Sequence, residues 1–416
     1  MPEAIYIWNV YGLGHLKNVI ISHIRYDIID LINRKREINM RFIIVLFTSC
    51  LPLLALTGCT ESETVSNREH EKRRLHTVTK VNEASWVTQE TTITIGALGD
   101  VLLHGRVYEL QETKPGVYDF SPSLKPVKPL VSKPDFLMAN QESVPGGVEY
   151  GLSTYPSFNS PKEIIPGLKE IGVDMIIAAN NHTIDRGIPP LMSALDLYDE
   201  LEIPYSGAYR DESDRNDHRI IEIEGINIGV LSYTSSTNGI PIPVGFEDSV
   251  AMLEEDRVIS DIEALREIVD VLVVHVHWGN EYERVPNETQ MSWAQRLADE
   301  EVDIIFGHHP HVLQPIEQLK QPDGQESLVF YSLGNFYSGQ NFEFTDVGGV
   351  ASVEVTKTKT ADAVTIELTK PFIEPTQVIR GQNEEYIVVP MKDTDIPSIA
   401  GESYDGTIEH VMQWLE

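Results

Sequence analysis

Val302-Asp303-Ile304-Ile305-Phe306-Gly307-His308-His309-Pro310-His311 is the stretch that decides the fold. A mostly apolar run ends abruptly in three histidines within four positions. The run reads as a buried strand, and the histidines fall just past its end. Neutral imidazole is a common ligand for borderline transition metals, so such a strand end is a good place to hold one. Seven of the thirteen histidines lie in a few short polar segments: His104, His182, His275, His277, His308, His309 and His311. That clustering points to a polynuclear metal site.

Working outward, short apolar runs alternate with amphipathic stretches. Strands are expected over Thr92–Leu98, Phe136–Ala139, Met175–Ala179, Ile226–Ser232, Val271–Val276, Asp303–Phe306 and Leu328–Ser332. Helices are expected over Pro161–Ile171, Pro189–Leu201, Val258–Val269 and Met291–Glu301. This is an α/β alternation. Many of the strands end in chemically capable residues: Gly99-Asp100, Asn140-Gln141-Glu142, Asn180-Asn181-His182, His275-Val276-His277 and Leu333-Gly334-Asn335. Open α/β sheets bind ligands beyond the carboxyl ends of their strands. Beyond about Gly348 the pattern changes to an antiparallel pair, Val350–Val355 and Ala363–Leu368.

The composition limits the function. With 416 residues, 41% of them apolar, the chain can build a large core. A net charge of −32 argues against nucleic-acid binding, which needs a basic footprint. It does not exclude an acidic substrate, because a bound cation overrides the local field.

The N-terminal part reads as a targeting segment. Phe42–Leu56 is an apolar run of 15 residues behind Arg34-Lys35-Arg36 and Arg41. It is shorter than the roughly 20 residues of a transmembrane span and suits a signal h-region. It closes in Leu56-Thr57-Gly58-Cys59, which resembles a bacterial lipobox with Cys59 as the lipidated residue. Residues 1–58 are therefore expected to be a signal segment, with Met40 as the translation start. Residues 59–90 are expected to be a polar linker from the lipid anchor. Cys50 and Cys59 are the only cysteines, so the exported part has no disulfide and no Cys-ligated zinc.

The candidate ligands are Asp100, Glu142, Asn181, His275, His277, His309 and His311, an N/O set that suits Mn, Fe or Zn. One or two ions per chain are expected. A carboxylate can bridge two metals about 3.5–4 Å apart that together activate water. His182 can protonate a leaving group, and Asp185 can fix its tautomer. Arg186 can grip an anion. Trp278, Glu281, Tyr282 and Asn335 are candidate substrate contacts, although aromatic residues there are more often packing and Asn335 sits in a tight turn. His275 and His277 share a strand face, so both can reach the site unless one is packed. His104 is open between ligand and satisfied histidine.

Asn181-His182 and His309-Pro310-His311 resemble the Asn-His and Gly-His-x-His motifs of calcineurin-like metallophosphatases. The series continues with Gly99-Asp100-Val101, Asn140-x-Glu142, Asn180 to Gly187, His277 to Tyr282, Gly307 to His311 and Ser332 to Phe336. In that order it is similar to the CapA family of poly-γ-glutamate capsule synthesis proteins, over about Ile93 to Phe336. The resemblance implies a metallophosphatase-like α/β/β/α sandwich, here spanning residues 91–345, with 346–416 as a β-rich C-terminal extension packing on it. It also implies a lipid-anchored protein on the extracytoplasmic face of the cell membrane. Its partners would be poly-γ-glutamate or a related envelope polymer and the membrane proteins of a capsule synthase. The chain departs from the phosphatase pattern at one point. Asp100 is followed by Val101-Leu102 where an Asp-x-His is usual. Three functions follow: a metal-dependent hydrolase acting on the polymer, a non-catalytic polymer-binding scaffold, or a metallophosphoesterase unrelated to capsule.

Overall fold

Each strand expected above between Thr92 and Leu368 is present, and each expected helix forms with somewhat shifted ends. The computed structural model describes residues 88–415. The expected signal segment 1–58, with its expected start at Met40, and Cys59 with nearly all of the expected 59–90 linker lie outside the described residues.

In chain order the strands are β1 (Gln89–Leu102), β2 (Glu112–Lys114), β3 (Val117–Tyr118), β4 (Phe136–Gln141), β5 (Met175–Ile177), β6 (Tyr205–Ser206), β7 (Ile220–Ile223) and β8 (Ile226–Thr234). They continue as β9 (Val271–His277), β10 (Ile304–His308), β11 (Ile316–Lys320), β12 (Glu326–Phe330), β13 (Asn335–Ser338), β14 (Val347–Lys359), β15 (Val364–Arg380) and β16 (Tyr386–Pro390). One sheet has the order β16-β15-β14-β1-β4-β5-β6, with β13 also pairing β1. A second has the order β11-β12-β10-β9-β8-β7, and β2 and β3 pair by themselves. β1, β4, β5 and β6 run parallel, as do β8, β9, β10 and β12.

The side-chain period of two decides the layers. Ile93, Ile95 and Ala97 of β1 and Met138 of β4 pack against Ile228 and Val230 of β8, Val271 and Val273 of β9, and Ile304 and Phe306 of β10. These residues form the core between the two sheets. Leu137 and Ala139 point the other way, onto the helices Ile164–Ile171 and Ile188–Glu200. Leu272, Val274 and Val276 point onto the helices Glu255–Arg266 and Glu288–Asp299. The result is an α/β/β/α sandwich. Truncating one central aromatic such as Phe306 to Ala would cost about 3–5 kcal/mol.

The C-terminal region differs from expectation. Residues 346–416 are β-rich, but their strands belong to the domain's first sheet instead of packing on it as an extension. β14 pairs antiparallel with β1 from Gln89↔Lys359 to Leu98↔Val350, and β15 and β16 extend the same sheet. The boundary drawn at 345 therefore cuts between strands of one hydrogen-bonded sheet. The sequence revealed the hairpin but not its partner, because pairing with a strand some 260 residues earlier leaves no local signal.

Candidate metal centre

Asp100 owes its position to a local irregularity in β1. The register of β1 shifts between Leu98 and Asp100 against β4, and between Asp100 and Val101 against β13. Such a bulge re-aims a side chain. Gly99 is required there, because a Cβ would lie 2.1 Å from the Gly334 carbonyl oxygen. Asn140 Nδ2 donates to Asp100 Oδ1 at 2.8 Å. Glu142 follows two residues later, just past the end of β4 and completely buried.

The second sheet supplies the imidazoles. His277 is the last residue of β9, and its Nε2 lies 3.0 Å from Asn181 Oδ1 and 3.5 Å from Glu142 Oε1. After β10, His311 Nδ1 lies 3.1 Å from Asp100 Oδ2, and His311 Nε2 lies 3.7 Å from Glu142 Oε1. The His309 N–H donates to Asp100 Oδ2 at 3.3 Å, and its ring lies 4.8 Å from that of His277. His309 and His311 both have positive φ, 96° and 60°. A non-glycine residue is held there only when its surroundings force it, and such strain clusters at functional sites.

His275 does not reach the centre. It shares the face of His277, but one pleat repeat deeper, where it meets Met138 Sδ at 3.2 Å and His308 Nε2 at 3.0 Å. His308 Nδ1 in turn lies 3.3 Å from Asp100 Oδ1. His275 and His308 thus back the Asp100 carboxylate instead of lining the opening.

The centre leaves buried donor atoms unsatisfied, and its titrating groups are strongly shifted. Burial favours a neutral Asp100, yet hydrogen bonds and charge from His308 and His311 outweigh it and hold the carboxyl well below its usual range. Burial pushes Glu142 well above the carboxylate range, and it depresses His309 to about 4. Burial opposes charge on His311, but Glu142 and Asp100 raise it to about 9. Both Glu142 carboxylate oxygens and the Nδ1 atoms of His277 and His309 are buried without a hydrogen-bond partner among the described residues. Orphaned buried polar atoms are rare and need an explanation. A divalent cation supplies one. Glu142–His277–His309, Asp100–Glu142–His311 and Glu281–His309–His311 each bring donor atoms within 4.8 Å of one another. An ion with bonds of about 2.1 Å spaces its donors by up to about 4.2 Å, so these groups are within rotamer reach. Glu142, His309 and His311 each belong to two of the groups. The imidazole and carboxylate donors fit a divalent transition cation.

Beside the centre, His182 Nδ1 lies 2.6 Å from Asp185 Oδ2. That oxygen also accepts the Phe158 N–H at 2.7 Å. The pairing places the ring proton on Nδ1 and leaves Nε2 free. Asn180 builds the turn: its Oδ1 accepts the His182 N–H and its N–H donates to Thr183 Oγ1. A cavity of about 290 Å³ is lined by His104, His182, Glu281, Tyr282, His311 and other residues. His104 therefore stands at the cavity wall. Burial lowers it to about 4, and its Nδ1 lies 3.2 Å from the Leu102 carbonyl oxygen.

Three expected substrate contacts are placed elsewhere. Trp278 is 1% exposed and sits on the opposite strand face from His277, donating to the Tyr331 carbonyl. The period of two dictates this. Asn335 is fully buried and donates to Gln340 Oε1 and the Thr345 carbonyl, bracing the wall instead of meeting solvent. Arg186 is turned to the 150–153 loop, donating to Ser153 Oγ at 2.7 Å. Tyr282 does line the cavity, and Glu281 joins a potential ligand group. Sequence reasoning noted Asn140 without giving it the role of orienting Asp100, and it missed Arg106, which lines the cavity. The Asn140-x-Glu142 spacing held a signal for the first, since residues two apart share a strand face.

The comparisons with known proteins bear on these same residues. Residues 94–340 match the family described as bacterial capsule synthesis protein PGA_cap. The chain is 24% identical to the capsule biosynthesis protein CapA of Bacillus anthracis over 367 residues, covering 85% of this chain and 83% of that protein. It is 31% identical to the PGA biosynthesis protein CapA of Bacillus subtilis (strain 168) over 195 residues, 44% of this chain and 47% of the relative. Among solved structures, the calcineurin-like phosphoesterase YfkN of Bacillus subtilis is similar with a TM-score of 0.40 and 15% identity, over 68% of this chain and 91% of that one. The family match covers more than half of the chain and contains every residue of the three ligand groups, so this chain belongs to the bacterial capsule synthesis protein PGA_cap family.

Proposed function

We propose that this protein acts in the synthesis or export of poly-γ-glutamate or a related capsule polymer, through a divalent-metal-dependent hydrolase-type site. The observation that carries this reading is the completely buried Glu142 carboxylate, unpartnered and shared between two candidate ligand groups, with the His182–Asp185 pair on the adjoining cavity. A divalent cation there, Mn, Fe or Zn, supplies Lewis acidity toward the scissile bond and an attacking water. The chain's own residues do the rest. Asp185 holds the His182 ring with Nε2 free, where it can deliver a proton to a leaving group. Asn181 Oδ1 orients His277, and Asn140 with His308 orients Asp100.

A scaffold reading has one observation in its favour. Val101 and Leu102, which follow Asp100, are buried apolar side chains, so the usual histidine donor is missing. In that reading the site binds metal and polymer without turnover. The location is proposed from the sequence: attachment at Cys59 to the outer face of the membrane, beside the membrane proteins of a capsule synthase.

Elemental analysis of the full chain in detergent tests the metal. Bound transition metal that falls in Glu142→Gln and His309→Ala supports the reading, and no uptake of Mn or Zn by the wild type removes it. His182→Ala then separates enzyme from scaffold. An enzyme loses about 10²–10⁴-fold in rate on a scissile phosphoester or γ-glutamyl substrate while keeping its metal. A scaffold shows no loss.

A further inference from the structure

The cavity at the metal centre adjoins a second one of about 260 Å³, and Arg106, Gln340 and Asn341 line both. Arg106 is exposed and makes no hydrogen bond or ion pair among the described residues. Arg380 lines the second cavity, its guanidinium 3.9 Å from the Tyr386 ring centroid. Its acidic neighbour is the exposed Glu384, at a long 3.5 Å. Two carboxyl groups face these cavities. Glu281 belongs to a candidate ligand group. Asp346 already accepts from Gln377 Nε2 and the Ile399 N–H, and burial pushes its carboxyl up.

We propose that the two cavities form one extended groove for a carboxylate-bearing chain, with Arg106 and Arg380 as successive carboxylate-gripping positions leading away from the metal centre. The argument is one of contrast. The chain carries 64 acidic against 32 basic residues, so its surface repels a polyanion almost everywhere. Here two guanidiniums stand beside the site, Arg106 with no ion pair among the described residues and Arg380 with only the exposed Glu384 at 3.5 Å. Guanidinium matches carboxylate geometry with paired N–H donors. Gln340, Asn341 and Gln377 add neutral amides that both donate and accept along the wall. The exposed rings of Tyr155 and Phe342, at 74% and 55%, border the first cavity and offer apolar cover to the aliphatic parts of such a chain. This groove rests on the reading of the centre as a capsule-polymer site.

The test uses two labelled probes, a γ-linked glutamate dimer and a longer γ-linked oligomer, with the full chain in detergent at low salt. The longer oligomer should bind more tightly than the dimer. Arg380→Glu should lower its affinity by up to about fivefold, the size of one exposed charge contact, and should leave the dimer unaffected. Arg106→Gln should weaken both probes. No binding of either probe, equal affinity for both lengths, or affinities untouched by the two substitutions would overturn the groove. Metal content of the same samples separates the two ideas. Metal present without an arginine effect sinks the groove alone. Arginine-dependent binding without metal upholds the groove and sinks the hydrolase.

Discussion

Replacing Glu142 by Gln should stabilise the protein without its cation at mildly basic pH and cripple it with one. In the cation-free protein the side chain is a liability. It is completely buried, and neither oxygen has a hydrogen bond among the described residues, His277 and His311 standing no nearer than 3.5 and 3.7 Å to Oε1. A buried unpaired polar group costs about 1–3 kcal/mol, and an ionised one costs more. Gln has nearly the same volume and cannot ionise, but it keeps a buried polar amide and no longer raises His311, so the cation-free variant should gain about 1 kcal/mol, and only at mildly basic pH. The pH dependence has a definite sign. Burial raises the folded-state carboxyl well above its ordinary 4.5, so the folded protein retains a proton that the unfolded chain has released. The contribution of Glu142 to stability therefore falls as pH rises above about 4.5, by up to about 1.4 kcal/mol per pH unit. The gain on substitution grows with pH accordingly. With a cation the order reverses. A cation present at about 100 times its Kd stabilises the wild type by about 2.7 kcal/mol, and the variant should lose most of that. Urea denaturation with chelator, then with saturating Mn or Zn, at mildly acidic and mildly basic pH, measures all of these effects. A variant that is destabilised without cation at mildly basic pH, or that keeps the full cation-induced gain, refutes the reasoning.

Metal affinity should rise with pH, because the proton that Glu142 and Asp100 hold on His311 up to about 9 must leave before a cation can bind. Below that value each pH unit should cost about tenfold in affinity, read by competition with a chromophoric chelator, and a flat profile would remove His311 from the ligand set. The same raised value stabilises the cation-free fold below about 6.5, an effect lost as pH rises through about 9. Gly307→Ala should destabilise by about 3 kcal/mol or more, since its Cβ would lie 2.0 Å from the Tyr331 carbonyl oxygen and 2.6 Å from Trp278 Nε1. Wild-type stability of that variant in thermal melts would show that the β10 terminus yields more easily than its packing indicates.

Much of the site was legible because its parts are strand endings. A polar residue directly after a buried apolar run has one direction in which to go, and parallel strands send such endings to a common edge. That logic brought Asp100, Glu142, Asn181, His277, His309 and His311 together. It also found the His182–Asp185 pair, whose three-residue spacing closes within one turn. It failed where depth mattered. His275 and His277 are equivalent by face, and only the point where β9 meets the opening separates a candidate ligand from a packed histidine. It failed for Trp278 and Asn335 because a motif's neighbours inherit interest that their own strand face does not support.

The sequence by itself determined the α/β class, the sheet-edge location of the chemistry and the donor types, because each is written in local periodicity and residue identity. Only the tertiary structure decided the rest. It took the C-terminal strands into the first sheet beside β1, used a bulge at Gly99 to turn Asp100, and left Glu142 without a partner between two sets of imidazoles. It also set Arg106, and not Arg186, on the cavity wall. These features depend on register and on which distant backbones approach each other. Such contacts are fixed by the packing of the whole core, and no window of the sequence contains them.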